Sequence, residues 1–170
     1  MSGAPILTAV FGGAACLLLA LTPTTRPPHL IFNTTASAPL GFYLVEAGAP
    51  VVGDMVVARP PRQLALWMAA RRYLPSNVPL IKRVAAVGGQ TVCGLEGRVQ
   101  IDGNTVATVL PRDRDGRRLT PFAGCVRLAD GDVFLLNTES PYSLDGRYFG
   151  PLASDAVVGR ATAIWTWSAR

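Results

Sequence analysis

Hydrophobic and polar positions divide the chain near residue 26. Residues 1–25 carry no charged side chain, and the first to appear is Arg26. Within that stretch, Ala4 to Leu21 is a run of eighteen mostly apolar residues. As a helix it would measure about 27 Å, close to the thickness of a bilayer's hydrocarbon core. It reads as a retained membrane anchor or as a cleaved signal peptide. The anchor is the better account: the start lacks Lys or Arg. The small-x-small site downstream, Ala36-Ser37-Ala38, lies far from the apolar run and is followed by Pro39. Cys16 sits inside the run with Leu17, Leu18 and Leu19 after it, and reads as a small buried hydrophobe rather than a lipidation site. Thr22 to Pro28 is a Pro-rich, stiff exit from the span. Counting Lys and Arg beside the span finds only Arg26 on the far side, which taken alone opposes a cytoplasmic N-terminus.

Beyond residue 28 the pattern changes to short apolar runs punctuated by Gly, Pro, Asn and Asp. Phe42–Ala47 and Met55–Arg59 read as strands flanking the turn signals Gly48-Ala49-Pro50 and Gly53-Asp54. Pro79 to Val87 is an apolar, β-branched run ending at Gly88-Gly89. Arg98–Asp102 and Thr105–Val109 around Gly103-Asn104 read as a hairpin. Val133–Asn137 and Ala161–Trp167 are further strands, and Pro111 to Pro121 is a polar loop. One helix is expected, Gln63 to Leu74, with Leu64, Trp67, Met68 and Arg71 on one face, packed on the core or lying at a membrane surface. The fold class is therefore mainly β. A single N-terminal transmembrane helix (1–28 with its linker) precedes a twisted, partly closed antiparallel β domain (29–170).

Composition narrows the function. Hydrophobic residues make up 49% of the chain, ample for a core, and 17 Gly with 14 Pro favour turns over long helices. The net charge of +5 comes from scattered Arg without a nucleic-acid motif, so no nucleic-acid partner is expected. The single His, His29, lies in the linker, which excludes a His-based triad. No His/Cys/Glu cluster suggests a metal site, and no cofactor is expected. Cys93 and Cys125 can pair if the domain faces an oxidising compartment; otherwise they are two buried thiols.

Of 16 basic residues only Lys82 is a lysine. A buried Lys can lose its proton and act as a base, whereas Arg effectively cannot. Ser37 lies in Ser37-Ala38-Pro39-Leu40-Gly41-Phe42-Tyr43, a rigid turn opening a strand. A Ser nucleophile and a neutral Lys suffice for acyl transfer.

Three segments then line up with a known family. The Ser37–Tyr43 segment resembles the S-x-P-x-G nucleophile box of type I signal peptidases. Leu80-Ile81-Lys82-Arg83-Val84, leading to Gly88-Gly89, resembles their general-base box. Ser143-Leu144-Asp145-Gly146-Arg147-Tyr148-Phe149-Gly150 is similar to their C-terminal S-x-D-S-R-Y-x-G box. The boxes occur in family order behind a hydrophobic segment. The lack of a large insertion between the last two resembles the conjugative-transfer, pilin-processing (TraF-type) branch. There are departures: Asn137-Thr138-Glu139 stands for G-D-N, Gly146 for the Ser of S-R, and Tyr142 where Asn is common.

The resemblance implies a signal-peptidase-type β domain and a Ser/Lys endopeptidase. Ser37 would be the nucleophile and Lys82 the general base. The backbone N–H of Ser37 and the hydroxyl of Thr35 would hold the oxyanion. Ser143 would orient the lysine amine, with Asp145 and Arg147 as a structural ion pair. The implied partners are a membrane-inserted precursor, pilin or another signal-peptide-bearing protein, and the lipid bilayer. The implied location is the bacterial inner membrane with the catalytic domain periplasmic, and on that ground a Cys93–Cys125 bond. Small side chains would fill shallow pockets before the cut, and an amine of the pilin itself can resolve the acyl-enzyme to a cyclic product. The alternatives are a general type I signal peptidase removing Ala-x-Ala-type signal peptides and a self-cleaving repressor-type protease, which residues 1–25 oppose. A non-catalytic, membrane-tethered pilus assembly module would not require Lys at position 82.

Overall fold

The computed structural model describes residues 29–168. The expected membrane span lies outside them; among the described residues no helix is long and apolar enough to cross a membrane. Ten strands form two antiparallel sheets. The first six are β1 (His29–Asn33), β2 (Leu40–Glu46), β3 (Met55–Ala58), β4 (Leu80–Val87), β5 (Thr91–Leu95) and β6 (Arg98–Ile101). They are followed by β7 (Asn104–Thr108), β8 (Gly124–Arg127), β9 (Val133–Leu136) and β10 (Val157–Trp167). The larger sheet runs β1-β2-β10-β3-β4-β9 and the smaller β7-β6-β5-β8.

Neither sheet closes, and β1 and β9 are free edges of the larger one. The expected partial closure gives way to two open sheets. The physical cause lies after β4, where Gly89 turns the chain out of the first sheet and donates its N–H to Leu128 O at 2.9 Å. Strands β5 and β6 then pair with each other instead of extending β4.

Burial follows the sequence pattern. In β2 the residues Gly41, Tyr43 and Val45 are buried while their neighbours are partly exposed, the period-two signature of a half-buried strand. The interior strand β4 and edge strand β9 are apolar almost throughout, and all of Val133–Leu136 is buried. One core cluster joins Val56, Val84 and Leu135; a second, under the smaller sheet, joins Val92, Val99 and Phe134. A third joins Tyr43, Val45, Val57 and Ile81 behind the Ser37 turn.

The expected helix is shorter than its apolar pattern implies. Helix α1 spans Arg62–Ala70, with Met68 buried and Arg72 already at φ 58°. The left-handed backbone at Arg72 breaks the helix ahead of Leu74, where Pro75 also disfavours helical backbone. The hairpin turns one residue earlier than expected, at Asp102-Gly103. Strand β1 begins at His29, the residue the sequence reading places in the linker, and β5 and β8 lack a clear signal in the sequence; Cys93 and Cys125 occupy a β5–β8 register pair and are bonded.

Candidate active site

Polar side chains from β1, the Ser37 turn, β4 and the loop before α2 (Gly146–Phe149) converge on a cleft of about 290 Å³, to which α1 adds the apolar Met68. The Ser37 turn is held by Asn33, which ends β1 and is buried. The Asn33 side-chain amide points at the carbonyls of Thr35, Ala38 and Pro39 at 3.1, 3.2 and 2.9 Å. Its Oδ1 accepts from the N–H of Thr35 at 3.0 Å and from the Thr35 hydroxyl at 2.8 Å. The turn leads into β2 at Leu40, and the next residue, Gly41, has a φ of 133°; a Cβ there would sit 2.1 Å from the carbonyl oxygen of Trp165 on β10. That approach admits only glycine, which accounts for the Gly of Ser-x-Pro-x-Gly.

Lys82 lies in β4 opposite Val56 of β3 and is 3% exposed. Alternation turns it to the same face as the core residue Val84. Its Nζ lies 3.0 Å from Ser37 Oγ and 2.8 Å from Ser143 Oγ. Burial among apolar neighbours penalises the ammonium, the positive charge of Arg147 adds to that penalty, and Asp145 partly offsets it. The result is a pKa lowered to about 8.

Ser143 is 1% exposed and its position is set from below. The Arg147 guanidinium donates to the carbonyls of Ser140, Pro141 and Ser143 at 2.9, 3.2 and 3.1 Å. It also pairs with Asp145, through Nε–Oδ1 at 2.8 Å and NH2–Oδ2 at 2.9 Å, with both residues buried. This fork-to-carboxylate geometry leaves neither buried charge without a partner. Asp145 further caps α2 by accepting the N–H of Arg147 at 3.2 Å. Gly146 has no space for a side chain: a Cβ would lie 2.8 Å from Leu135 O and from the ring of Phe134. Its replacement of the family's Ser therefore belongs to local packing.

Thr35 lines the same cleft, with its hydroxyl engaged by Asn33 rather than directed at Ser37. The backbone N–H of Ser37 has no partner among the described residues.

Two further residues of the site carry little signal in the sequence. For Asn33 it is the position two residues before Thr35 in a Ser/Thr-rich turn, where Asn side chains commonly bond the following backbone. Asn137 stands out only as a departure from G-D-N. It is buried and joins all three boxes: its amide donates to the carbonyls of Ser37 and of Ile81, the latter at 3.3 Å. Its Oδ1 accepts from Arg83 N–H at 2.9 Å, and its own N–H donates to Asp145 at 3.1 Å.

The chain belongs to the family described as signal peptidase, peptidase S26, whose model matches residues 5–167. Within it the chain is similar to the conjugal transfer protein TraF of Agrobacterium fabrum, 38% identical over 148 residues that cover 79% of this chain and 81% of that protein. TraF of Agrobacterium tumefaciens is 34% identical over 91% of this chain and 93% of its own length. The plasmid transfer protein TraF of Escherichia coli is 29% identical over 92% and 93%. A signal peptidase I from Enterococcus faecalis aligns with a TM-score of 0.42 at 20% identity, over 69% of this chain and all of that one.

Proposed function

We propose that this chain is a membrane-anchored Ser/Lys endopeptidase that cleaves pilin or other secreted precursors during conjugative transfer, with Ser37 as nucleophile and Lys82 as base. The observation that carries this reading is the position of Lys82 Nζ, buried and within hydrogen-bond distance of both Ser37 Oγ and Ser143 Oγ. The names of its relatives, all conjugal or plasmid transfer proteins, support the conjugative setting.

The chemistry follows from the geometry. The neutral Lys82 amine takes the Ser37 hydroxyl proton across 3.0 Å as Oγ attacks the scissile carbonyl. The free N–H of Ser37 meets the developing oxyanion, and Thr35 does so once its hydroxyl turns from Asn33. The tetrahedral intermediate collapses, the Lys82 ammonium protonates the leaving amine, and an ester on Ser37 remains. Water deprotonated by Lys82 then releases the acid. Attack by an amine of the precursor itself would give a cyclic product instead. Through both stages Ser143 keeps Nζ aimed, and the Asp145–Arg147 pair keeps Ser143 in place.

The chain would sit in the bacterial inner membrane with its catalytic domain periplasmic. The Cys93–Cys125 bond suits an oxidising compartment. Strands β1 and β10 also expose Leu30, Phe32, Ile164 and Trp165, between 50% and 68% accessible, as a surface beside a bilayer would. Cleavage of a purified precursor by wild type and by Lys82→Arg tests the reading. Wild type should cleave and the variant should not; equal cleavage by both would favour a non-catalytic assembly module.

A further inference from the structure

The polar loop from Pro111 to Pro121 has no part in the proposed dyad, yet it reaches both walls of the cleft. Its two feet stand on α2, within the Ser143 box. Leu110 N–H donates to Tyr148 Oη at 3.2 Å, and Phe122 N–H donates to Arg147 O at 2.8 Å. Leu119 N–H closes the base of the loop onto Pro111 O at 3.1 Å.

At the tip, Asp113 gathers donors. Its carboxylate accepts from the N–H groups of Asp115 and Arg117, both at 2.9 Å, from Arg117 Nε at 2.6 Å, and from the Tyr73 hydroxyl. Arg117 in turn donates to Arg71 O at 2.6 Å and lies over the Tyr73 ring, 4.6 Å from its centroid. On the opposite wall, the Arg114 guanidinium lies 4.8 Å from the centroid of Tyr142. Tyr73 and Tyr142 both line the cleft that contains Ser37 and Lys82, whereas Asp113, Arg114 and Arg117 do not. Tyr73 follows α1 just after Arg72 at φ 58°, with no strand to hold it. Its anchors are its backbone N–H bond to Met68 O at 2.9 Å, its ring contact with Trp67 and the Asp113–Arg117 pair.

We propose that Asp113 and Arg117 are specificity-determining positioning residues. By clamping Tyr73 they hold the apolar wall of Met68, Tyr73, Leu74 and Val78 in place, and with it the preference for small side chains that the signal-peptidase reading implies. This rests on the peptidase reading above. Rejection of a bulkier side chain depends on a wall that does not yield, and a hydrophobic pocket of fixed width discriminates by about 10- to 200-fold per methylene-scale difference. Released from the clamp, Tyr73 keeps only its local contacts and the wall gives.

The test uses the full chain in detergent with two precursors differing only in Ala or Leu at the residue before the cut. Asp113→Ala and Arg117→Gln should each lower the Ala-over-Leu ratio of kcat/KM by about tenfold. Turnover of the Ala precursor and the pH midpoint should stay as in wild type, because neither residue touches Ser37 or Lys82. An unchanged ratio in both variants overturns the proposal, as does a fall in kcat or a moved pH midpoint accompanying the lost selectivity. A lower Tm with selectivity intact overturns it as well. Failure of wild type to cleave either precursor would instead sink the peptidase reading, and this inference with it.

Discussion

The side-chain amide of Asn137 donates to the backbone carbonyl of Ser37, one hundred residues earlier in the chain. The same amide group also binds the strand that carries Lys82, so Ser37 and Lys82 share one buried support. Asn137→Ala should therefore lower kcat with little change in KM. Displacements of about 1 Å between reacting groups can cost on the order of 100-fold. Steady-state kinetics beside a thermal melt would separate this from simple destabilisation. A proportionate loss of active protein, with kcat per folded molecule intact, would contradict it.

As the proposed base, Lys82 should set the pH dependence. With its pKa lowered to about 8, a minority of molecules hold the neutral amine at pH 7. Activity should rise with pH through about 8 and level off above it. Ser37→Ala and Lys82→Arg should both be inactive at every pH. A rate that does not change between pH 6 and pH 9 would exclude Lys82 as the base.

The same shift appears in stability. Because the folded pKa lies below the ordinary 10.5, the unfolded chain binds more protons between about 8 and 10.5, and the contribution of Lys82 to stability rises with pH across that window. Below it, the full penalty for the buried ammonium is present, about 3 kcal/mol from a shift of this size. Lys82→Met should thus raise Tm at pH 7, with the gain shrinking as pH climbs through the window. Melts of both proteins across pH 6 to 10 would check this; a Met variant less stable at pH 7 would contradict it.

The supporting hydroxyls should separate kinetically. Thr35→Ala should cost on the order of 100- to 1000-fold in rate if Thr35 supplies an oxyanion donor, while Thr35→Ser keeps most activity. Ser143→Ala should move the pH midpoint as well as the rate, since Ser143 Oγ bonds Lys82 Nζ at 2.8 Å. A Thr35→Ala enzyme at near-wild-type rate removes Thr35 from the oxyanion site.

Cys93 and Cys125, 32 residues apart, close a loop whose crosslink stabilises the domain by about 3–4 kcal/mol in the chain-entropy model. Replacing both with Ser should lower Tm correspondingly, and a reductant should have no further effect on the variant. Protein isolated from cells should show no free thiol at either position. Protease added to spheroplasts should digest residues 30–170; protection there would overturn the periplasmic topology.

Several of these features are legible in the amino-acid sequence by itself. The isolated lysine in a β-branched run, the Ser-x-Pro-x-Gly turn and the ordered boxes are local patterns whose meaning depends on residue chemistry and spacing. The strands around Met55, Leu80, Val133 and Ala161 declare themselves by their apolar pattern, because each buries a face that its own residues must supply. Tertiary structure decided the rest. That Lys82 lies between Ser37 and Ser143 follows from the pairing of β3, β4 and β9, a long-range register that no local pattern encodes. The split into two sheets at Gly89 and the pairing of Cys93 with Cys125 across β5 and β8 are likewise outcomes of long-range strand pairing. Asn33 and Asn137 stay hidden in the sequence for the same reason. A polar amide gives no signal of its own, and its role exists only where folding buries it among backbone groups that would otherwise lack partners.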